Sequence, residues 1–179
     1  MSRPKEPVPV KLVSSLFSSE RELLDEAAGV LEERFGSLDW VGPERPFDRT
    51  RYYEREMGWP LVRRFMSFET LTPPDRLVEI KLQTNEVEEQ FRQGPNRRVN
   101  IDPGYIALER LVLATGKNYV HRIYLGRGIY ADLTLVYERG GFRPLPWTYP
   151  DYADPDVIGE FNDLRKGYLE QLRRKGLTA

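Results

Sequence analysis

Residues 119–137 constrain the fold of this chain more than any other segment. Residues 119–125 and 129–137 alternate in side-chain character, and the loop Gly126-Arg127-Gly128 joins them. That pattern predicts an antiparallel β-hairpin. A symmetric loop sets Leu125 opposite Ile129, Tyr124 opposite Tyr130 and Arg122 opposite Asp132. Period-two alternation then puts Arg122, Tyr124, Tyr130, Asp132 and Thr134 on one face. The other face carries His121, Ile123, Leu125, Leu133 and Leu135. The first face reads either as a polar platform for a phosphate or a metal-bound ligand, or as a cross-strand ion pair among aromatics. A bulge in the loop would shift this register.

Upstream, residues 11–18 read as a strand. Ser19 and Glu22 have the spacing of a capping box, and Leu24, Ala27, Ala28, Leu31 and Phe35 recur at helical spacing up to Gly36. A short strand at 38–41, a charged and aromatic excursion at 42–60 and a strand at 64–70 follow. Pro73-Pro74-Asp75 opens a second helix, whose apolar face is Leu77, Ile80, Thr84, Val87 and Phe91. Gly94-Pro95 ends it, and a strand begins at 98–101. This β-α-β-β-α-β order predicts a ferredoxin-like antiparallel sheet with both helices on one face. Residues 109–115 read as a further strand, although 105–111 fits a helical turn equally well. The proline-rich segment 142–153 reads as irregular. Asp154-Pro155 starts a final helix with Val157, Ile158, Phe161, Leu164, Tyr168 and Leu172 on its apolar face. The expected fold is therefore α+β: a ferredoxin-like βαββαβ core extended by a C-terminal β-hairpin and a final helix. Residues 1–9 are expected to be a disordered tail and 10–179 a single α+β domain.

Several function classes fall away on composition. The chain has 179 residues, enough for one core, and a formal net charge of -1. No global basic field draws in nucleic acid or an anionic membrane, so neither is expected as a partner. There is no cysteine, which removes disulfides, thiolate nucleophiles and cysteine-type zinc sites. Clean apolar runs such as Leu111 to Ala114 are far shorter than the roughly 20 residues of a membrane helix. The N-terminal segment has three prolines by Pro9 and no apolar core of a secretory signal. A cytoplasmic location is the expectation.

The chemistry-bearing residues are few. His121 is the only histidine and hence the catalytic candidate for neutral-pH proton transfer, but its expected apolar neighbours fit a hydrogen-bonded core residue as well. Residues 97–127 are locally basic: Arg97, Arg98, Arg110, Lys117, Arg122 and Arg127 outweigh Asp102 and Glu109. Lys81 and Asn85, four apart on a helix, project together. Asp102 precedes Pro103-Gly104, where it would hold a ligand or simply make a turn. Trp147 and Tyr149 would stack on a ligand or cover the core edge. Ala114-Thr115-Gly116-Lys117-Asn118 has the Gly-Lys of a phosphate-binding loop, without its upstream glycine or its following hydroxyl. No G-x-G-x-x-G, H-E-x-x-H or G-x-S-x-G is present.

Taken together, certain blocks resemble a prokaryotic domain-of-unknown-function family, numbered 4416. They are Pro46-Phe47-Asp48 with Tyr52-Tyr53 and Glu56-Met57-Gly58, Lys81 with Thr84-Asn85, Asn100-Ile101-Asp102-Pro103-Gly104-Tyr105, His121-Arg122-Ile123-Tyr124-Leu125-Gly126 with Gly128-Ile129-Tyr130-Ala131, and Leu145-Pro146-Trp147-Thr148-Tyr149-Pro150-Asp151-Tyr152. The resemblance runs from about Lys11 to Leu172. Some proteins of that family carry the label "GTP-binding protein", but this sequence lacks the phosphate-binding loop that label calls for. The resemblance leaves the cofactor unknown, assigns no metal-ligating residues and leaves open whether the protein is an enzyme. The blocks point to Lys81, Asn85, Asp102, Lys117, His121, Arg122, Asp132 and Trp147. The expected function is binding of a small anionic or nucleotide-like ligand. In that reading Arg122 and Lys117 hold the anion, Asp102 and Asp132 orient the ligand or a metal, and Trp147 or Tyr149 stacks. The alternative is a non-enzymatic interaction or regulatory domain that acts through a sheet edge or as a homodimer.

Overall fold

The computed structural model describes residues 3–177. In chain order these form β1 (Val10–Ser18), α1 (Arg21–Phe35), β2 (Leu38–Val41), β3 (Arg45–Pro46), α2 (Glu54–Met57) and β4 (Val62–Thr72). A single 3-10 turn at Pro74–Arg76 leads into α3 (Leu77–Gln90). Then come β5 (Val99–Ile106), β6 (Arg110–Thr115), β7 (Arg122–Gly126), β8 (Ile129–Glu138), β9 (Gly141–Pro144) and α4 (Pro155–Arg174). All strand pairs are antiparallel. The main path runs β2-β4-β1-β5-β6-β8-β7, with β3 beside β4 and β9 beside β8.

The fold is thus α+β, with nine strands in one sheet and four helices among the described residues. That is more sheet than a ferredoxin-like core with one added hairpin. The difference lies in β6, β9 and the two-residue β3. β6 takes the strand option of the ambiguous 105–115 region, and β9 orders part of the proline-rich segment that reads as irregular. No helix is long and apolar enough to cross a membrane among the described residues.

β1 is buried along its whole length because helices cover both faces of the sheet. Leu12 and Leu16 pack with Leu24, Ala27 and Leu31 of α1 and Ile80 and Val87 of α3. Val13, on the opposite face, packs with Phe161, Tyr168 and Leu172 of α4. α4 starts as expected: the Asp154 side chain accepts from the Asp156 N–H at 3.0 Å. α1 does not. The Ser19 hydroxyl donates to the Met57 carbonyl at 2.5 Å, so it ties down the excursion and the capping box does not form. Residues 3–9 lack regular structure, and the Pro9 carbonyl accepts from the Tyr168 hydroxyl at 2.8 Å. Met1 and Ser2 of the expected tail, and the last two residues of the expected domain, lie outside the described residues.

In the β7–β8 hairpin Arg122 pairs with Asp132 and Tyr124 with Tyr130, the expected register. A bulge then sets Gly126, not Leu125, opposite Ile129. The loop turns through positive φ at Gly126, Arg127 and Gly128, which explains the glycines on both sides.

β5 and β6 stay together for only part of their length. Gly104 pairs with Leu113, and a Cβ there would lie 2.4 Å from the Val112 carbonyl oxygen. The Ala107 N–H donates to the Arg110 carbonyl at 2.9 Å. Alternate residues of β5 therefore aim their nitrogens at β6, and Pro103 is one of them. Proline has no N–H to continue the ladder. Beyond this point the strands part.

Candidate ligand cleft

A cleft of about 640 Å³ lies where β5 and β6 separate. One wall comes from α3 and β5, the other from residues 114–117, the hairpin and residues 149–152. The excursion contributes Phe47, Arg49, Thr50, Tyr52 and Tyr53, and β4 contributes Arg63. Of the residues that stand out in the sequence, Lys81, Asn85, Asp102, Lys117, Arg122, Asp132 and Tyr149 line this one opening.

On the α3–β5 wall every cation is engaged. Lys81 Nζ donates to the Ile101 carbonyl at 2.8 Å and lies 3.5 Å from Asp102 Oδ1. Asn100 donates to Asp102 Oδ2 at 2.8 Å. Arg97 grips both oxygens of Glu56 at 2.7 and 2.9 Å and donates to Asn100 at 3.0 Å. That contact holds the Glu56 carboxyl below the usual range. Glu88, one helical turn beyond Asn85, accepts from the Ile101 N–H at 2.6 Å. Burial pushes the Glu88 carboxyl up, against the pull of Lys81.

On the hairpin wall Arg122 spends its donors inside the protein. Nε donates to Asp132 at 2.9 Å, one terminal nitrogen to the Lys117 carbonyl at 2.8 Å, and the other to the Tyr149 hydroxyl at 2.7 Å. The buried Asp132 carboxylate also lies 3.2 Å from His121 Nε2.

His121 is not among the apolar side chains that strand alternation predicts. It precedes β7, so the strand's alternation does not govern it. Its ring stacks on Trp147 with centroids 5.0 Å apart at 11°. Trp147 in turn donates to the Leu133 carbonyl at 2.8 Å. Both residues sit behind Asp132 and neither lines the cleft. Ile123 and Leu125, expected on the apolar face with His121, are exposed, whereas Leu135 is buried.

Arg63 is the most deeply set cation of the cleft, and nothing in the sequence marks it. It precedes the strand expected at 64–70, and no sequence motif includes it. In the fold it is only 6% exposed and pairs with Asp151. Its guanidinium lies 4.1 Å from the Phe47 ring centroid, 5.2 Å from Phe17 and 5.7 Å from Phe65 and Tyr152. Burial pulls its pKa down. Its Nε makes no hydrogen bond among the described residues. Glu88 also joins the site unannounced, beside Arg97 of the basic segment and Tyr53 of the excursion, whose phenol is pushed up to about 12 by burial. An i, i+4, i+7 count from Lys81 through Asn85 reaches Glu88, the one signal that could have found it.

Cations outnumber acids in the lining itself, while Glu56 and Asp154 pair with Arg97 and Arg49 from just outside it. Among the described lining residues Arg49, Arg63, Lys81, Arg97, Lys117 and Arg122 face Glu88, Asp102, Asp132 and Asp151. Lys117 makes no ion pair among the described residues, and its ammonium lies 4.8 Å from the Tyr52 ring centroid. No group of three or more His, Asp or Glu is arranged to hold a metal ion among the described residues.

A family model described as a domain of unknown function (DUF4416) matches residues 8–168. No curated protein and no solved structure matches the chain.

Proposed function

The chain belongs to the DUF4416 family, and we propose that its cleft binds a small anionic ligand. The observation that carries this reading is the Lys117 ammonium at one wall, which makes no ion pair among the described residues, while the other cations of the lining are paired or hydrogen-bonded within the protein. Arg63 supports it from the depth of the cleft, as a buried guanidinium with a donor to spare. The cleft volume falls within the range of small-molecule sites. In this reading Lys117 meets the anion, while Arg122 positions Tyr149 and Asp132. Trp147 braces His121 and does not stack on the ligand. The scaffold is a ferredoxin-like core: β2-β4-β1-β5 are neighbours in that order, and α1 and α3 share one core against them.

The test is a thermal-shift screen of the full chain against phosphates, nucleotides including GTP, and divalent metals. A ligand at about 100 times its dissociation constant adds roughly 2.7 kcal/mol, several degrees for a domain of this size. The expected result is a shift with anions that Lys117→Ala abolishes. A screen flat for every anion, or a shift untouched in Lys117→Ala, sinks the proposal.

A second reading rests on the sheet edge. β7 ends the sheet, and Val120, Ile123 and Tyr124 nearby are 94%, 68% and 59% exposed. An apolar edge strand of this kind pairs readily with a second copy. Light scattering decides it: a dimer that Ile123→Lys dissociates supports the reading, and a monomer at all concentrations removes it.

A further inference from the structure

Resting on the anion-binding reading, we propose that the ligand carries a second pole, a set of hydroxyl groups on a short carbon frame, as in a sugar phosphate. The two walls of the cleft differ in what they offer. The hairpin side has the unpaired Lys117 ammonium. The α3–β5 side has no cation to spare, because Lys81 sits on the Ile101 carbonyl and Asp102, and Arg97 sits on Glu56. What that side presents is the Asp102 carboxylate, its side chain 35% exposed, with the half-buried Asn85 amide also on the lining.

A carboxylate repels a phosphate, so the anionic end belongs at Lys117 and the Asp102 end needs a donor. Lys81, 3.5 Å away, already compensates the charge of Asp102, and an incoming ammonium would meet it. A neutral donor, the hydroxyl, fits both facts. Asp102 has roughly four acceptor positions and spends few of them on Asn100 and Lys81. The same two contacts hold it in place, which lowers the ordering cost of binding. The cleft also has room for more than a lone phosphate.

The experiment is calorimetric titration of the full chain with inorganic phosphate, ribose 5-phosphate, 2-aminoethyl phosphate and GMP. Ribose 5-phosphate should bind roughly tenfold or more tightly than phosphate, the size of a hydrogen bond to a charged group. Asp102→Asn should erase most of that advantage, with phosphate itself binding as tightly or more tightly because a repelling charge is gone. If Asp102→Asn does not fold, Asn85→Ala should show the same selective loss to a smaller degree. GMP above ribose 5-phosphate would identify a nucleotide as the source of the sugar phosphate, and equal affinity a free sugar phosphate. Equal binding of phosphate and ribose 5-phosphate, or a preference for 2-aminoethyl phosphate, overturns the second pole and leaves the anion site standing. No binding of any of the four overturns both.

Discussion

Two clefts in this molecule each hold a buried cation, and they differ in sign. The smaller, about 430 Å³, lies between the sheet and α4. There Lys11 contacts Asp39 and donates to Gln171 at 3.3 Å. Its other charged lining residues are Glu69, Glu160, Asp163 and Arg174, so acids outnumber cations among the described residues. The larger cleft has the opposite excess. Burying a cation does not by itself make an anion site. Lys11 is neutralised within its own wall, whereas Arg63 keeps a free donor and has Lys117 nearby in the lining.

The sharpest way to break this comparison is to delete each buried cation. Arg63→Ala should cost about 3 kcal/mol in urea unfolding, because it leaves the largely buried Asp151 carboxylate without its partner. It should also remove the anion-induced thermal shift. Lys11→Ala should cost somewhat less, about 2 kcal/mol, since Asp39 is 32% exposed and water can take over. That variant should keep the anion response. An anion response lost in Lys11→Ala would show that the two clefts are not independent.

A smaller effect separates the two glutamates that flank Arg97. The carboxyl of Glu88 is raised from the ordinary value of 4.5. Just above that value the folded state holds a proton that the unfolded chain has lost, so stability falls as pH rises through this window. Glu88→Gln should remove that fall. Glu56 is lowered by Arg97, so its contribution is present above 4.5 and is lost as pH drops through its folded value. Glu56→Gln should flatten only the acid side, and weakly, because solvent screens a carboxylate one-third exposed. Urea titrations from pH 3 to 8 check both; equal slopes in the two variants would contradict the opposite shifts. The smallest effect on stability is expected for the exposed Lys117. Lys117→Ala should change unfolding by no more than about 0.5 kcal/mol while abolishing the anion response.

Much of the secondary structure is legible without the fold. β1, α1, α3, α4 and the Arg122–Asp132 register follow from local periodicity and turn residues. Seven of the nine residues singled out in the sequence line one cleft. The misreadings share one cause. Ser19 has the spacing of a cap, but the Met57 carbonyl takes its hydroxyl from 38 residues away. His121 has the parity of an apolar face, but it lies outside β7 and meets Asp132 and Trp147. In each case a partner distant in sequence outweighs a local preference.

The sequence by itself determined the elements, because helix and strand periods and glycine turns act over a few residues. Pro103, a turn residue by its local sequence, lies inside β5, and only the pairing with β6 shows that its missing donor opens the cleft. What only the tertiary structure decided is the state of each charge. Arg63 is buried because Phe17, Phe47, Phe65, Tyr152 and Asp151 converge on it from four parts of the chain. Glu88 is raised because β5 closes over α3. Desolvation and pairing depend on which distant segments meet, and no local pattern in the chain records that.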